Sequence, residues 1–339
     1  MLSPAQTLSR AVFQTGRMGS LGVAPPERTG DGSLFPALVV AVGQVGKRVV
    51  ERLKHLLRER WGDAERVPNV RVLHIDTDPE PVPGQAQTAL LPREVVLARL
   101  NRPGHYLQRD SLPPVDAWMP TGTLYKLART PGSAGGVRSL GRLALFDNYR
   151  LIAQRVRQEI ETFLTDNPLA DAARHTKLML RTNRPRAYVV TGLAGGTGGG
   201  MFIDLAYLIR HELRQVGYLR PDVVGVLFVP PADKNTARSV ALGNTFAALT
   251  ELYHFQSRAV RYQTAFDRSE APVVDSDAPF SRVSVLTLPR KAEAKAQQAC
   301  ADRAARALFQ EMLTPAGRVA DEARDAFVRA HPALSLIHI

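Results

Sequence analysis

The chain is short of cysteine. Cys300 stands alone among 339 residues, which excludes a disulfide framework within the chain and any multi-cysteine zinc site. Eight histidines are present, yet no two form an HxxxH or HExxH pair, so a zincin-type metal site is excluded as well. Long apolar runs are also missing. The longest, Phe35 to Val42, falls far below the roughly 20 residues that span a bilayer. No apolar segment follows the first basic residue in the manner of a secretory signal. The expectation is a cytoplasmic protein without a membrane span.

Aromatics are scarce at 6%, and lysine supplies seven of the 44 basic residues. The net charge of +12 is therefore carried mainly by arginines, spread along the chain rather than gathered in a stripe. Nucleic-acid modules cluster their cations or interleave them with aromatics. The pattern favours a solvated arginine-rich surface over a dedicated nucleic-acid site.

What is present is an alternation of strands and helices. Residues 1–33 are rich in Gly, Pro and Ser without a period and read as a disordered leader. Buried-strand runs follow at Phe35–Val42, Val70–Ile75, Ala187–Thr191, Val223–Val229 and Val283–Leu288. Helical periodicity marks Lys47–Arg60, Arg142–Leu164, an amphipathic Met201–Val216, Asn244–Phe255 and Ala292–Met312. Residues 79–135 are irregular and proline-rich. The fold class is α/β, a doubly wound, mostly parallel sheet with helices on both faces. Its expected divisions are a nucleotide-binding domain over 34–290 and a long central helix over 291–313. Residues 314–339 would begin a second domain that is missing, with the apolar ending LSLIHI non-native.

Ligands of such sheets bind where strands end and helices begin. Three segments lie there. In Gly43-Gln44-Val45-Gly46, glycines allow backbone amides to approach an anion at a helix start, though a tight turn needs glycine too. Asp76-Thr77-Asp78 follows a strand; an acid there can bond a ribose, help hold a metal, or cap a turn. The third, Ala194 to Gly200, has five glycines in six positions (195, 196, 198, 199 and 200) around Thr197. Each glycine costs about 0.5–1 kcal/mol of ordering against alanine. Such a loop should either adopt several positive-φ conformations or admit a ligand to its backbone. With the Met201 helix directly behind it, this is the pattern of a phosphate cradle. Neither a Walker A GxxxxGK[ST] nor a Rossmann GxGxxG is present.

These residues resemble the nucleotide-binding domain of the tubulin/FtsZ superfamily, most closely bacterial tubulin-like proteins outside the cell-division group. The family signature [SAG]-G-G-T-G-[SA]-G reads A-G-G-T-G-G-G at Ala194–Gly200, with Gly199 departing from the usual Ser or Ala. Gly43–Lys47 is similar to the opening G-Q-x-G-N. Ile75–Asp78 resembles I-N-T-D. Gly135 and Gly136 lie where the family has its γ-phosphate loop, and Asn244 where it has a base-contacting asparagine. The resemblance implies GTP or GDP with Mg²⁺ as ligands, no protein-built metal site, and head-to-tail self-assembly. Hydrolysis would need acids from a neighbouring subunit. Glu322 and Asp325 stand in that position, but Ala320 and Glu322 depart from the family's G-x-x-N-x-D-x-x-D. Two rival readings remain: an NAD(P)-binding enzyme with Asp76 on the ribose, and a nucleotide-binding scaffold without hydrolysis.

Overall fold

A computed structural model describes residues 23–79, 90–107, 115, 118–119, 122, 124, 132–165, 167–232, 236–257, 259–290 and 293–330. Its centre is strand β1 (Ala37–Val42), six residues buried on both faces. Leu38, Val40 and Val42 point into one core, Ala37, Val39 and Ala41 into the other. This is the two-sided burial that makes a strand read as a continuous apolar run.

Helix α1 (Gly43–Trp61) follows with no intervening loop and leads to β2 (Val70–Asp76). Strand β3 (Val95–Leu97) adds outside β2. After helices α2 (Arg138–Asp147), α3 (Tyr149–Glu161) and α4 (Asn167–Thr176), the chain returns as β4 (Arg186–Gly192) on the other side of β1. Helix α5 (Gly196–Gln215), β5 (Asp222–Val229) and α6 (Ser239–Gln256) come next. A two-stranded antiparallel ribbon pairs β6 (Tyr262–Thr264) with β7 (Val273–Asp275). Strand β8 (Arg282–Thr287), α7 (Ala294–Leu313) and α8 (Pro315–Ala330) complete the described chain. The main sheet is parallel, in the order β3-β2-β1-β4-β5-β8. Side chains of α1, α4 and α7 build the core on one face, and those of α2, α3 and α5 the core on the other.

The chain runs outward from β1 in both directions, so the order reverses between β1 and β4. Register brings the strand ends level there: Val42 pairs with Ile75 on one side and Thr191 on the other. A crevice at such a reversal, beyond the carboxyl ends of the strands, is where open α/β sheets take ligands.

Four expectations are corrected. Helix α1 begins at Gly43, so the first glycine segment is a helix turn and not a loop. Helix α5 likewise begins at Gly196, inside the expected glycine loop. The helix expected over Arg142–Leu164 is two helices broken at Asn148 (φ −107°, ψ 17°). There the Asn148 amide donates to the carbonyls of Ala144 and Arg99, both at 2.9 Å, and this competes with continued winding. Finally, α5 is buried nearly all round rather than amphipathic. Its buried charges are paired: Asp204 with Arg142 (2.8 Å), Arg210 with Asp275 (2.7 Å) and Glu212 with Arg157 (2.7 Å).

Residues at the end of the expected leader are tied down. Gly30 and Gly32 donate at 2.9 Å to the carbonyls of Arg181 and Leu180. Positions 1–22, Pro131, Ala292 and the final LSLIHI lie outside the described residues.

Candidate functional site

Two long helices start side by side at the sheet reversal. Neither α1, preceded by Val42, nor α5, preceded by Gly195, has a side-chain cap or an acid in its first turn. The first amides of a helix have no intrahelical acceptor, and the dipole adds roughly half a positive charge at that end. Gly43 (φ +69°) bends the chain directly from β1 into α1. A Cβ placed on it would lie 3.9 Å from the Gly198 nitrogen, so the two helix starts nearly touch.

The glycines of 195–200 divide by purpose, and none has a positive φ. A Cβ on Gly198 would sit 2.0 Å from Thr191 Oγ1, one on Gly199 2.6 Å from the Leu193 carbonyl oxygen, and one on Gly200 2.1 Å from that of Arg138. A Cβ on Gly196 would meet the Val137 nitrogen at 2.8 Å. These four glycines let α5 press against the end of β4, against α2 and against the segment before α2. The expected alternatives, positive φ or ligand access, overlooked this close approach of protein backbone. Gly195 differs: a Cβ there meets nothing within 4 Å, so this position opens outward. Gly46 is again a packing glycine, 2.4 Å from the Val190 carbonyl oxygen by the same measure.

Around the helix starts runs a chain of hydrogen bonds. Thr77, buried, places its hydroxyl 2.8 Å from that of Thr197 and accepts from the Ala134 amide at 3.1 Å. Asn244 donates through its side-chain nitrogen to the carbonyls of Gly136 (2.8 Å) and Ala194 (2.9 Å). Gly135 and Gly136 do take positive φ (51° and 82°) in the loop just before α2. Arg138 donates to the Gly199 carbonyl at 2.9 Å and pairs with Glu251.

Asp76 turns inward. One carboxylate oxygen accepts from the Thr77 amide at 2.7 Å, and the other from Gln44 Nε2 at 3.1 Å. Burial pushes its carboxyl up, against the pull of the Asp78 and Thr77 amides. The geometry ties α1 to the end of β2 and leaves this carboxylate poorly placed to reach a ribose. Beneath it, His74 is buried; the backbone of Gly43 hydrogen-bonds its ring, while its Nε2, 3.8 Å from Asp76 Oδ2, has no hydrogen-bond partner among the described residues. Burial, reinforced by Lys47, lowers its pKa to about 4, so it is neutral near pH 7.

Beside the helix starts, toward β5 and β8, lies a cavity of about 270 Å³. Val45, Ala194, Phe228, Pro231 and Leu288 make its walls apolar, and Arg48, Arg238 and Gln297 supply polar edges. The sequence reading missed these three. Arg48 lies one helical turn beyond Gln44, a spacing that would have pointed to it. Helix α6 contributes Ala241 to this cavity, while Asn244 faces the loop carbonyls. Among the described residues no group of three His, Cys, Asp or Glu side chains is placed to hold a metal ion.

Glu322 and Asp325 are exposed on α8, at the opposite edge of the sheet. They line a cavity with Pro221 and with Arg186 and Asp222, which open β4 and β5. Glu322 pairs with Arg318 at 3.0 Å. Arg186 bonds Asp222 (2.6 Å), Glu311 (3.0 Å) and Asp321 (2.9 Å), joining β4 to α7 and α8. No described helix is long and apolar enough to cross a membrane.

Comparison with known proteins adds three observations. CetZ from Methanosaeta thermophila is 15% identical over 80% of this chain and 52% of its own, with a TM-score of 0.44. TubZ of Clostridium botulinum phage c-st is 11% identical (82% and 60% covered, TM-score 0.41), and FtsZ of M. jannaschii 15% (91% and 61%, TM-score 0.40). The chain thus spans between about half and three fifths of the length of these structures. No curated protein matches it. The sequence profile described as tubulin-like matches residues 38–336, and the chain belongs to that family.

Proposed function

We propose that this chain binds GTP and GDP, and that the protein it belongs to assembles head to tail with copies of itself. The observation that carries the reading is the pair of uncapped helix starts at Gly43 and Gly196, set side by side at the sheet reversal. Amides and dipoles converge there on one place, which suits a phosphate chain. Gly195, open to the outside, lets phosphate oxygens approach the first amides of α5. The cavity beside Val45 and Ala194 would take the base and ribose, with Arg48, Arg238 and Gln297 at its polar edges. With no cluster of acids at hand among the described residues, Mg²⁺ would be held through phosphate oxygens and water.

Glu322 and Asp325 support the assembly part of the reading. They are exposed at the sheet edge opposite the helix starts, so in a head-to-tail contact they would face the neighbour's phosphates. Acids so placed would orient a water for attack, which is positioning work. The inward-turned Asp76 speaks against the dinucleotide alternative, which needs that carboxylate on a ribose.

The test is to purify the full chain, denature it and identify the released nucleotide by chromatography, then titrate the emptied protein with GTP, ATP and NAD. Guanine nucleotide released and GTP preferred supports the reading; bound NAD(P) with indifference to GTP overturns it. For assembly, sedimentation with GTP against GDP should show a pellet that depends on the triphosphate.

A further inference from the structure

A second cavity, of about 570 Å³, opens between α2, α5, α6 and β6, level with the second turn of α5 rather than its tip. That volume is in the range of small-molecule sites. Aromatic side chains are scarce in this chain, yet Trp118, Phe202, Phe255 and Tyr262 all line this one cavity. Further rings brace them: Tyr262 stacks on Tyr207 (3.8 Å between ring centres) and Phe202 on Phe280 (6.3 Å). The Arg142 guanidinium lies 4.6 Å from the centre of the Trp118 ring and holds the indole in place. Such walls favour a flat apolar body.

The charges on the lining decide what that body carries. Asp204 accepts from Arg142 twice (2.8 and 3.1 Å) and from the Tyr262 hydroxyl (2.7 Å). Glu251 takes both arms of the Arg138 guanidinium. Both acids are therefore already neutralised, each by its own arginine. Two donors are left over. The Arg261 guanidinium is exposed and has no partner among the described residues, and the Trp118 Nε1–H is buried with no acceptor among them. Ser139, His254 and Gln263 can each donate or accept and set no sign. The unmet demand is for an acceptor that carries negative charge. We propose that this cavity binds a small flat aromatic anion, with its rings among the four aromatic side chains and its negative group on Arg261 and the Trp118 N–H. The proposal is independent of the nucleotide-binding reading, because this cavity shares no lining residue with the one beside Val45.

The experiment titrates the full chain with anilinonaphthalene sulfonate, a flat ring system bearing one sulfonate, and with phenylnaphthylamine, the same rings without it. Fluorescence should show saturable binding of the sulfonate by the parent protein, with the neutral compound bound about tenfold more weakly. Arg261→Gln changes an exposed side chain; it should weaken the sulfonate about tenfold and leave the neutral compound within about twofold. Trp118→Phe keeps a flat ring and loses the N–H; it should weaken the sulfonate about threefold. An excess of GTP should leave the sulfonate in place. Sulfonate binding that stays within about twofold of the parent in both variants, or that GTP displaces, would put the probe elsewhere and overturn the proposal. The absence of saturable binding would overturn it too. Equal loss of both compounds in Arg261→Gln would make the arginine a support of the fold rather than a contact to the anion, and the assignment of charge would fall.

Discussion

Gly195→Asp separates a phosphate cradle from a merely structural helix start. Gly195 occupies the N-cap of α5 with φ −87° and ψ 168°, an extended conformation open to any residue. A Cβ there meets nothing within 4 Å, so the aspartate enters without a clash. Its carboxylate would accept from the Thr197 or Gly198 amide, as N-cap aspartates do. Replacing glycine by aspartate at a cap gains a few tenths of a kcal/mol, and the charge against the helix dipole adds about 0.3–1 kcal/mol. The variant should therefore be about 0.5–1 kcal/mol more stable, a rise of about 1 °C in Tm for a chain of this size. For phosphate the same change is adverse. A carboxylate about 4 Å from a phosphate charge costs about 4 kcal/mol at an effective dielectric of 20, or roughly a thousandfold in affinity. Salt screening reduces this, so a loss of at least about 100-fold in GTP affinity is the expected result. Thermal melting and calorimetric titration read the two effects, with Gly195→Ala as the uncharged control. A Gly195→Asp protein that binds GTP within about threefold of the parent would refute the assignment of these amides to phosphate.

The remaining expectations concern the scaffold. Gly198→Ala would put a methyl 2.0 Å from Thr191 Oγ1 and 2.6 Å from the Gly192 carbonyl oxygen; urea unfolding should show a loss of about 3 kcal/mol or more, while Gly195→Ala stays within about 0.5 kcal/mol. His74 is neutral in the folded chain down to about pH 4, whereas the unfolded chain takes up the proton below its ordinary value of 6.5. Stability is therefore lost as pH falls from 6.5 toward 4, by about 3 kcal/mol in total; His74→Gln should flatten this limb in denaturation curves at pH 7, 5.5 and 4.5, and an unchanged limb would contradict the burial argument. Arg186→Ala leaves Asp222 without its guanidinium, while Glu311 keeps Arg282 and Asp321 keeps Arg181 and Arg324; a loss of about 1.5–3 kcal/mol is expected in urea, and a loss below about 0.5 kcal/mol would show the cluster to be well hydrated.

The strands at β1, β2, β4 and β5 were legible because both of their faces are covered, which leaves continuous runs such as ALVVAV and DVVGVLFV. The three-residue strands β3, β6 and β7 carry too few residues for any period to appear. The break at Asn148 depends on Arg99, 49 positions away, and no local pattern records it. The glycine cluster was visible as a cluster, but its cause was not. The backbone that excludes a Cβ at Gly200 belongs to Arg138, and for Gly198 it is the end of β4. Likewise, Thr77 and Asn244 were picked out by position, yet their shared hold on loop 132–137 exists only once three distant segments meet.

The charges sunk along α5 bear on how firmly its first turn is placed. Apolar packing tolerates a helix slipping lengthwise, since one greasy contact substitutes for another. Asp204, Arg210 and Glu212 do not allow that, because each is matched to counter-charges at fixed places: Arg142 on α2, Asp275 on β7 with Asp277 just beyond it, and Arg157 on α3. Advancing the helix by one residue, 1.5 Å along its axis with a 100° turn, would unseat all three at once. The helix is keyed like a bolt in a lock, and its glycine tip keeps its station whether or not anything presses against it.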